Sequence, residues 1–148
     1  MKNTLFLISL CFFLNLTAQK TNPEAIKFYE SALSKGSSGD SKGAISDFNK
    51  AIELDPDYAE AYLSRGANYL QMANFKAAIV DLTKSIELKP DLPSYFLRSI
   101  SEESLGNYEL AISDFSKAMD FKSEEISEEA LYLQRASYRY TFNDFDGA

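Results

Sequence analysis

Chemistry in a protein usually starts from a histidine, a thiol or a close pair of carboxylates, and this chain is poor in the first two. It has no histidine, so the commonest general base and the commonest metal ligand are both missing. Its one cysteine, Cys11, sits in an apolar run between Leu10 and Phe12. A zinc site or a cysteine nucleophile is therefore not expected. Gly36-Ser37-Ser38-Gly39-Asp40-Ser41-Lys42-Gly43 has the composition of a phosphate loop. It lacks the Gly-Lys-Ser/Thr order and no strand precedes it, so it reads as an early helix end and a loose turn. Asn143-Asp144-Phe145-Asp146-Gly147 is similar to part of a calcium loop, but the bidentate acid that should follow is absent. No catalytic, cofactor-binding or metal site is expected, and the chain does not read as an enzyme. One charge pattern does recur: Arg65, Arg98 and Arg135 alternate along the chain with Asp47, Asp81 and Asp114.

The bulk composition limits what those residues can serve. The chain has 148 residues, 45% of them hydrophobic and 25% charged, which is globular rather than disordered composition. A formal net charge of −7 leaves no basic footprint for nucleic acid and argues against docking on anionic lipid. The mild acidity otherwise favours solubility.

The first residues have a different character. Met1 and Lys2 make a short basic start, Thr4 to Leu16 is mainly apolar, and Leu16-Thr17-Ala18 precedes Gln19 with small residues. This is the layout of a secretory signal peptide, with cleavage expected after Ala18. The apolar run is shorter than the roughly 20 residues that span a bilayer, so no stable membrane insertion is expected after cleavage. Cys11 has Leu10 before it and Phe12-Phe13-Leu14 after it, which excludes a lipidation site. The expected location is outside the cytoplasm, periplasmic or secreted.

The rest of the chain repeats. Ser46-Asp47-Phe48-Asn49-Lys50-Ala51-Ile52-Glu53-Leu54-Asp55-Pro56 recurs as Val80 to Pro90 and again as Ser113 to Ser123, and an Ala-Ile pair precedes each copy. The interval is about 34 residues. Each unit contains two apolar helical patterns separated by polar turns. Asn22, Asp57, Asn74, Asp91, Asn107 and Ser127 are candidate helix N-caps. Pro23 and Pro93 fall near helix starts, and Pro56 and Pro90 near helix ends. Small residues at Ala32, Gly66, Ala44, Ala78 and Ala111 allow close helix approach, with Phe28, Tyr62, Tyr95 and Tyr132 filling the layer between neighbouring pairs.

On these residues the chain resembles the tetratricopeptide repeat family. The unit from Ala59 fits best, with Tyr62, Gly66, Tyr69, Ala78, Leu82, Ser85 and Pro90 in the family's places for bulky, small, aromatic, alanine and proline residues. Lys35 replaces an aromatic in the first unit, and Glu102 and Ser123 depart from the pattern in the third. The resemblance implies an all-α fold: a right-handed superhelical array of antiparallel helix pairs, an α-solenoid. The units are 25–58, 59–91, 92–128 with a longer closing turn, and an incomplete fourth at 129–148, after a lead-in at 19–24. The arginines occupy the seventh place of their units and the aspartates the twenty-third. The preferred pairing bridges units, Asp47 with Arg65, Asp81 with Arg98 and Asp114 with Arg135; pairing within a unit, such as Arg65 with Asp81, is the alternative. The fourth unit stops at the start of its second helix, so a longer native chain or a covering partner is expected.

In this family the first helix of each unit lines a concave face. The positions that match here include Ile26, Tyr29 and Leu33, then Leu63, Ala67 and Leu70, then Phe96 and Ile100, then Leu133, Ser137 and Tyr140. Several are large and apolar without being needed between units. The family's clamp for C-terminal carboxylates needs lysines, asparagines and an arginine, where this chain has Tyr29, Leu33, Ser64, Pro93 and Leu97. The resemblance thus implies a scaffold whose partner is a protein or peptide presenting apolar side chains, held as a helix or an extended segment. The alternative is the repeat region of a longer protein, serving self-association or an enzyme domain beyond residue 148.

Overall fold

The computed structural model describes residues 21–121. The expected signal peptide, the candidate cap Ser127 and the fourth unit lie outside the described residues. Within them are six helices and no strand: α1 (Pro23–Ser37), α2 (Ser41–Leu54), α3 (Ala59–Gln71), α4 (Phe75–Leu88), α5 (Leu92–Ser104) and α6 (Tyr108–Asp120). They form three antiparallel pairs, α1/α2, α3/α4 and α5/α6, stacked in chain order.

Side-chain caps start four of these helices. Asn22 accepts from Glu24 N at 2.9 Å, Asp40 from Gly43 N at 2.9 Å, Asn74 from Ala77 N at 3.4 Å and Asp91 from Ser94 N at 2.9 Å. Two expected caps differ. The residue before α3 is Tyr58 rather than Asp57, and it makes no side-chain cap bond. Asn107 does precede α6, but its amide donates to Glu102 Oε2 at 2.7 Å instead of capping the helix. The expected early end of α1 is also corrected. The helix runs through Gly36 to Ser37 and stops at the register where α3 and α5 stop. The segment that follows is a tight turn rather than a loose one, with Asp40 capping α2.

All three turns inside the pairs are built alike. Each places one residue in the left-handed region: Gly39 at φ 86°, Ala73 at φ 56° and Gly106 at φ 80°. Each also returns a backbone bond to the preceding helix, from Asp40 N to Lys35 O, Asn74 N to Tyr69 O and Asn107 N to Glu102 O. Glycine takes that conformation without penalty, while Ala73 carries a Cβ into it.

Packing follows the small and large residues of the repeat. Ala44, Ala78 and Ala111 are fully buried where second helices meet first ones, and Phe48, Leu82 and Phe115 fill the core of each pair. At Gly66 a Cβ would lie 2.9 Å from Leu82 Cγ and 3.4 Å from the Ala78 carbonyl, so the close approach of α3 to α4 needs the glycine. The joint between the second and third pairs is polar at its centre: Ser85 Oγ lies 2.9 Å from Ser94 Oγ and donates to the Ala59 carbonyl at 3.2 Å. Phe28, Tyr62 and Tyr95 are only half-buried and lie beneath cations, Lys50 over Phe28, Arg65 over Tyr62, and Arg98 and Lys117 over Tyr95.

Candidate functional site

Among the described residues, α1, α3 and α5 touch one another in succession, while α2, α4 and α6 do not. Helices that meet in a row lie on the inside of a curved array, so the first helices form the inner face and the second helices the outer one. The sequence-predicted groove residues fall on the inner row. Ile26, Tyr29 and Leu33 come from α1, Leu63, Ala67 and Leu70 from α3, and Phe96 and Ile100 from α5. Leu33 is the most open of them at 44% exposure, and the others are half-buried. Leu133, Ser137 and Tyr140 lie outside the described residues.

Two of the aromatics have packing roles as well. Tyr29 has its ring centroid 5.0 Å from Tyr58 and 5.9 Å from Phe48, and its hydroxyl is 3.3 Å from Ser64 Oγ on α3. It therefore helps join the first unit to the second, contrary to the expectation that such side chains are free of that duty. Phe96 packs at 6.1 Å on fully buried Phe115. Of the apolar inner-row residues described, only Leu33 is exposed, while Val80 and Leu110 are exposed on the outer helices. Near the Tyr29–Tyr58 pair, Lys89 Nζ is 2.7 Å from Glu60 Oε1. Burial pushes the Tyr58 phenol up to about 12, helped by Tyr29 and by the carboxylates of Glu60, Glu30 and Asp55. Tyr58, Glu30 and Glu60 did not figure in the sequence reading: Glu30 adjoins Tyr29 on α1, and the turn between α2 and α3 brings Tyr58 and Glu60 to it.

The arginine–aspartate pairs overturn the preferred bridging between units. Arg65 grips Asp81 with two bonds, Nε to Oδ2 at 2.7 Å and NH2 to Oδ1 at 2.6 Å, and Arg98 grips Asp114 in the same way at 2.6 and 2.7 Å. Both pairs are within a unit. An antiparallel pair brings together residues equidistant from its turn, and Arg65 and Asp81 are equidistant from Ala73, as Arg98 and Asp114 are from Gly106. Asp47 bonds in its own unit to Ser31 Oγ at 2.6 Å and Lys35 Nζ at 2.5 Å. Lys35, the departure from the aromatic pattern, thus supplies the charge that Ser31 lacks, and its bond to Asp47 holds that carboxyl below the usual range. The arginines do reach the preceding unit, but through neutral groups: Arg65 NH1 to Asn49 Oδ1 at 2.6 Å, and Arg98 NH1 to Thr83 Oγ1 at 2.9 Å.

The outer side carries a cleft of about 470 Å³ lined by Tyr62, Arg65, Ile79, Val80, Asp81, Thr83, Lys84 and Glu87. Its polar groups already serve one another: Arg65 holds Asp81, Lys84 pairs with Glu87 at 3.4 Å and Thr83 takes Arg98. It offers few unspent groups to a ligand. Among the described residues no cluster of acids, cysteines or histidines could hold a metal ion, and no helix is long and apolar enough to cross a membrane.

Comparison with known proteins agrees with the repeat geometry. A family model described as TPR repeat matches residues 37–73, and one described as tetratricopeptide repeat matches 59–92 and 92–125. No curated protein sequence matches the chain significantly. Among solved structures, the first TPR of Spaghetti (RPAP3) bound to the HSP90 peptide SRMEEVD superposes with a TM-score of 0.74 at 19% identity, over 81% of this chain and 94% of that one. The second TPR domain of human RPAP3 in complex with the HSP70 peptide SGPTIEEVD gives 0.70 at 20% identity, over 78% and 95%. The MamA protein gives 0.64 at 28% identity, over 66% of this chain and 54% of that one. With three stacked helix pairs, repeated turns and matching family models over most of the described residues, the chain belongs to the tetratricopeptide repeat family.

Proposed function

We propose that this protein is an exported scaffold that binds a polypeptide segment through the apolar inner face of α1, α3 and α5. The carrying observation is the run of apolar side chains on that face, led by Leu33 at 44% exposure, on helices that already have their own packing partners. Partly exposed apolar side chains gathered on one face support an interaction site there. Structural relatives of the same architecture are recorded in complex with peptides, which supports a peptide as ligand. Their acidic peptides are a poor guide to its chemistry, since this inner face lacks the lysines and arginine of a carboxylate clamp. The partner instead presents apolar side chains, as a helix or an extended segment.

Leu33→Ala and Leu63→Ala test this reading, because neither side chain belongs to the fully buried core. Each should weaken partner binding by about 1–3 kcal/mol if it is an anchor. Phe96→Ala is a poorer probe, since it also removes a contact to Phe115. Binding that survives both leucine changes refutes the groove. Export rests on the basic–apolar–small layout of residues 1–18 and predicts a mature chain beginning at Gln19. N-terminal sequencing from the native host that returns Met1 refutes it.

A further inference from the structure

The helical register of the inner face says more about the ligand than its apolarity does. The register that carries the groove residues takes in six positions of each first helix: in α3 they are Glu60, Leu63, Ser64, Ala67, Leu70 and Gln71. Across α1, α3 and α5 these registers hold no lysine and no arginine, and their charged residues are Glu30, Glu60 and Glu103. Two cations of α1 are placed elsewhere. Lys27 occupies the register of Ala61 and Ser94, which are buried against the preceding unit, so it lies on the leading edge of the array. Lys35 is committed to Asp47. Glu103 already has an interaction of its own.

The acids gather at one place. Tyr29 and Tyr58 meet at 5.0 Å with ring planes tilted by 45°, and both rings are half-buried. Exposed Glu30 follows Tyr29 on α1, Glu60 follows Tyr58 by half a turn, and both carboxylates act on the Tyr58 phenol. Aromatic faces attract cations, and neighbouring carboxylates add to that attraction. The chain itself shows the chemistry: Lys89 has come to Glu60 at 2.7 Å, although both side chains are largely exposed, at 61% and 45%. A pair that open is weak and exchanges readily with an incoming cation.

Building on the groove reading, we propose that the ligand is a basic as well as apolar polypeptide segment, whose lysine or arginine seats at the Tyr29–Tyr58 pair between Glu30 and Glu60. Its apolar side chains lie along Leu33, Leu63 and Ile100. This inverts the charge of the acidic peptides bound to the RPAP3 domains.

Two synthetic helical peptides with one shared apolar stripe test the assignment, one with a lysine-rich and one with a glutamate-rich polar face. Fluorescence anisotropy is measured at low and high salt. The lysine-rich peptide should bind roughly five- to tenfold more tightly at low salt, a margin set by two exposed charge contacts. That margin should shrink as salt is added. Glu30→Gln with Glu60→Gln should abolish it, while Glu53→Gln with Glu87→Gln on the outer helices should leave it unchanged. Equal loss from the outer pair would mean attraction to the acidic protein as a whole, which overturns the assignment. Equal or tighter binding of the glutamate-rich peptide also overturns it. If Leu63→Ala still weakens both peptides in that case, the groove stands and only its charge preference fails. If neither peptide responds to Leu63→Ala, the groove itself fails.

Discussion

Breaking the Arg65–Asp81 pair should show that the ionic ties of this array hold each helix pair together rather than pair to pair. The Asp81 side chain is 4% exposed and the Arg65 side chain 17%, with two bonds of 2.6 and 2.7 Å between them. Removing the guanidinium strands a buried carboxylate, which costs about 3–5 kcal/mol for a fully buried pair. The open edge of Arg65 lets water reach part of the site, so Arg65→Met should cost about 2–4 kcal/mol. Arg65→Lys keeps the charge but loses the fork and the bond to Asn49, and should fall between wild type and Arg65→Met. Urea denaturation of the four proteins in an Arg65→Met, Asp81→Asn cycle should give a coupling of about 1–3 kcal/mol at an unchanged denaturant slope. The same cycle on Arg98 and Asp81, which share no bond, should give a coupling near zero. Strong coupling across the units with none inside the unit would refute the pairing derived from the structure.

Three further outcomes follow from single positions. Gly66→Leu should cost about 1–3 kcal/mol in thermal or urea unfolding, because even a Cβ meets Leu82 at 2.9 Å. Ala73→Gly should raise stability by about 0.5–1 kcal/mol: it relieves a left-handed alanine worth about 1–2 kcal/mol, against the extra freedom glycine gives the unfolded chain; a lower melting point would contradict the turn geometry. The Asp47 carboxyl is held below its ordinary value by its bond to Lys35, so its contribution is complete above about pH 4 and fades as pH falls through the lowered value. Lys35→Met should therefore lose less stability on acidification than the wild type, and equal acid sensitivity would count against the pair.

The fold was legible because this architecture is written in spacing. Buried Ala44, Ala78 and Ala111, with Phe48, Leu82 and Phe115 one turn on, recur at the repeat interval, as stacked antiparallel helix pairs require. Gly66 was legible as a close approach for the same reason. The ionic pairs were misread because arginine and aspartate alternate along the chain, so each arginine has an aspartate on either side in sequence. The deciding signal was present but unused: Gly39 and Gly106 mark the midpoints of their turns, and reflection about them pairs Arg98 with Asp114 and Ser31 with Asp47. Lys35 lies one helical turn beyond Ser31, which puts it within reach of the same Asp47, and this was hidden by comparing it only with the expected aromatic. Tyr29 and Phe96 were assigned to the ligand alone, since one-dimensional spacing does not reveal that Tyr58 and Phe115 lie against them. The acidic surroundings of Tyr58 come from a turn between units, which periodicity within a helix does not describe.

The central claim, that the inner face of the first helices holds the partner, is tested most directly by photo-crosslinking in the native host. A photoreactive phenylalanine analogue is placed at Leu33 or Leu63 on the inner face, or at Val80, which is 68% exposed on the outer face. The account predicts one crosslinked polypeptide shared by the Leu33 and Leu63 proteins and absent from the Val80 protein. Crosslinking through Val80 with none through Leu33 or Leu63 would contradict it.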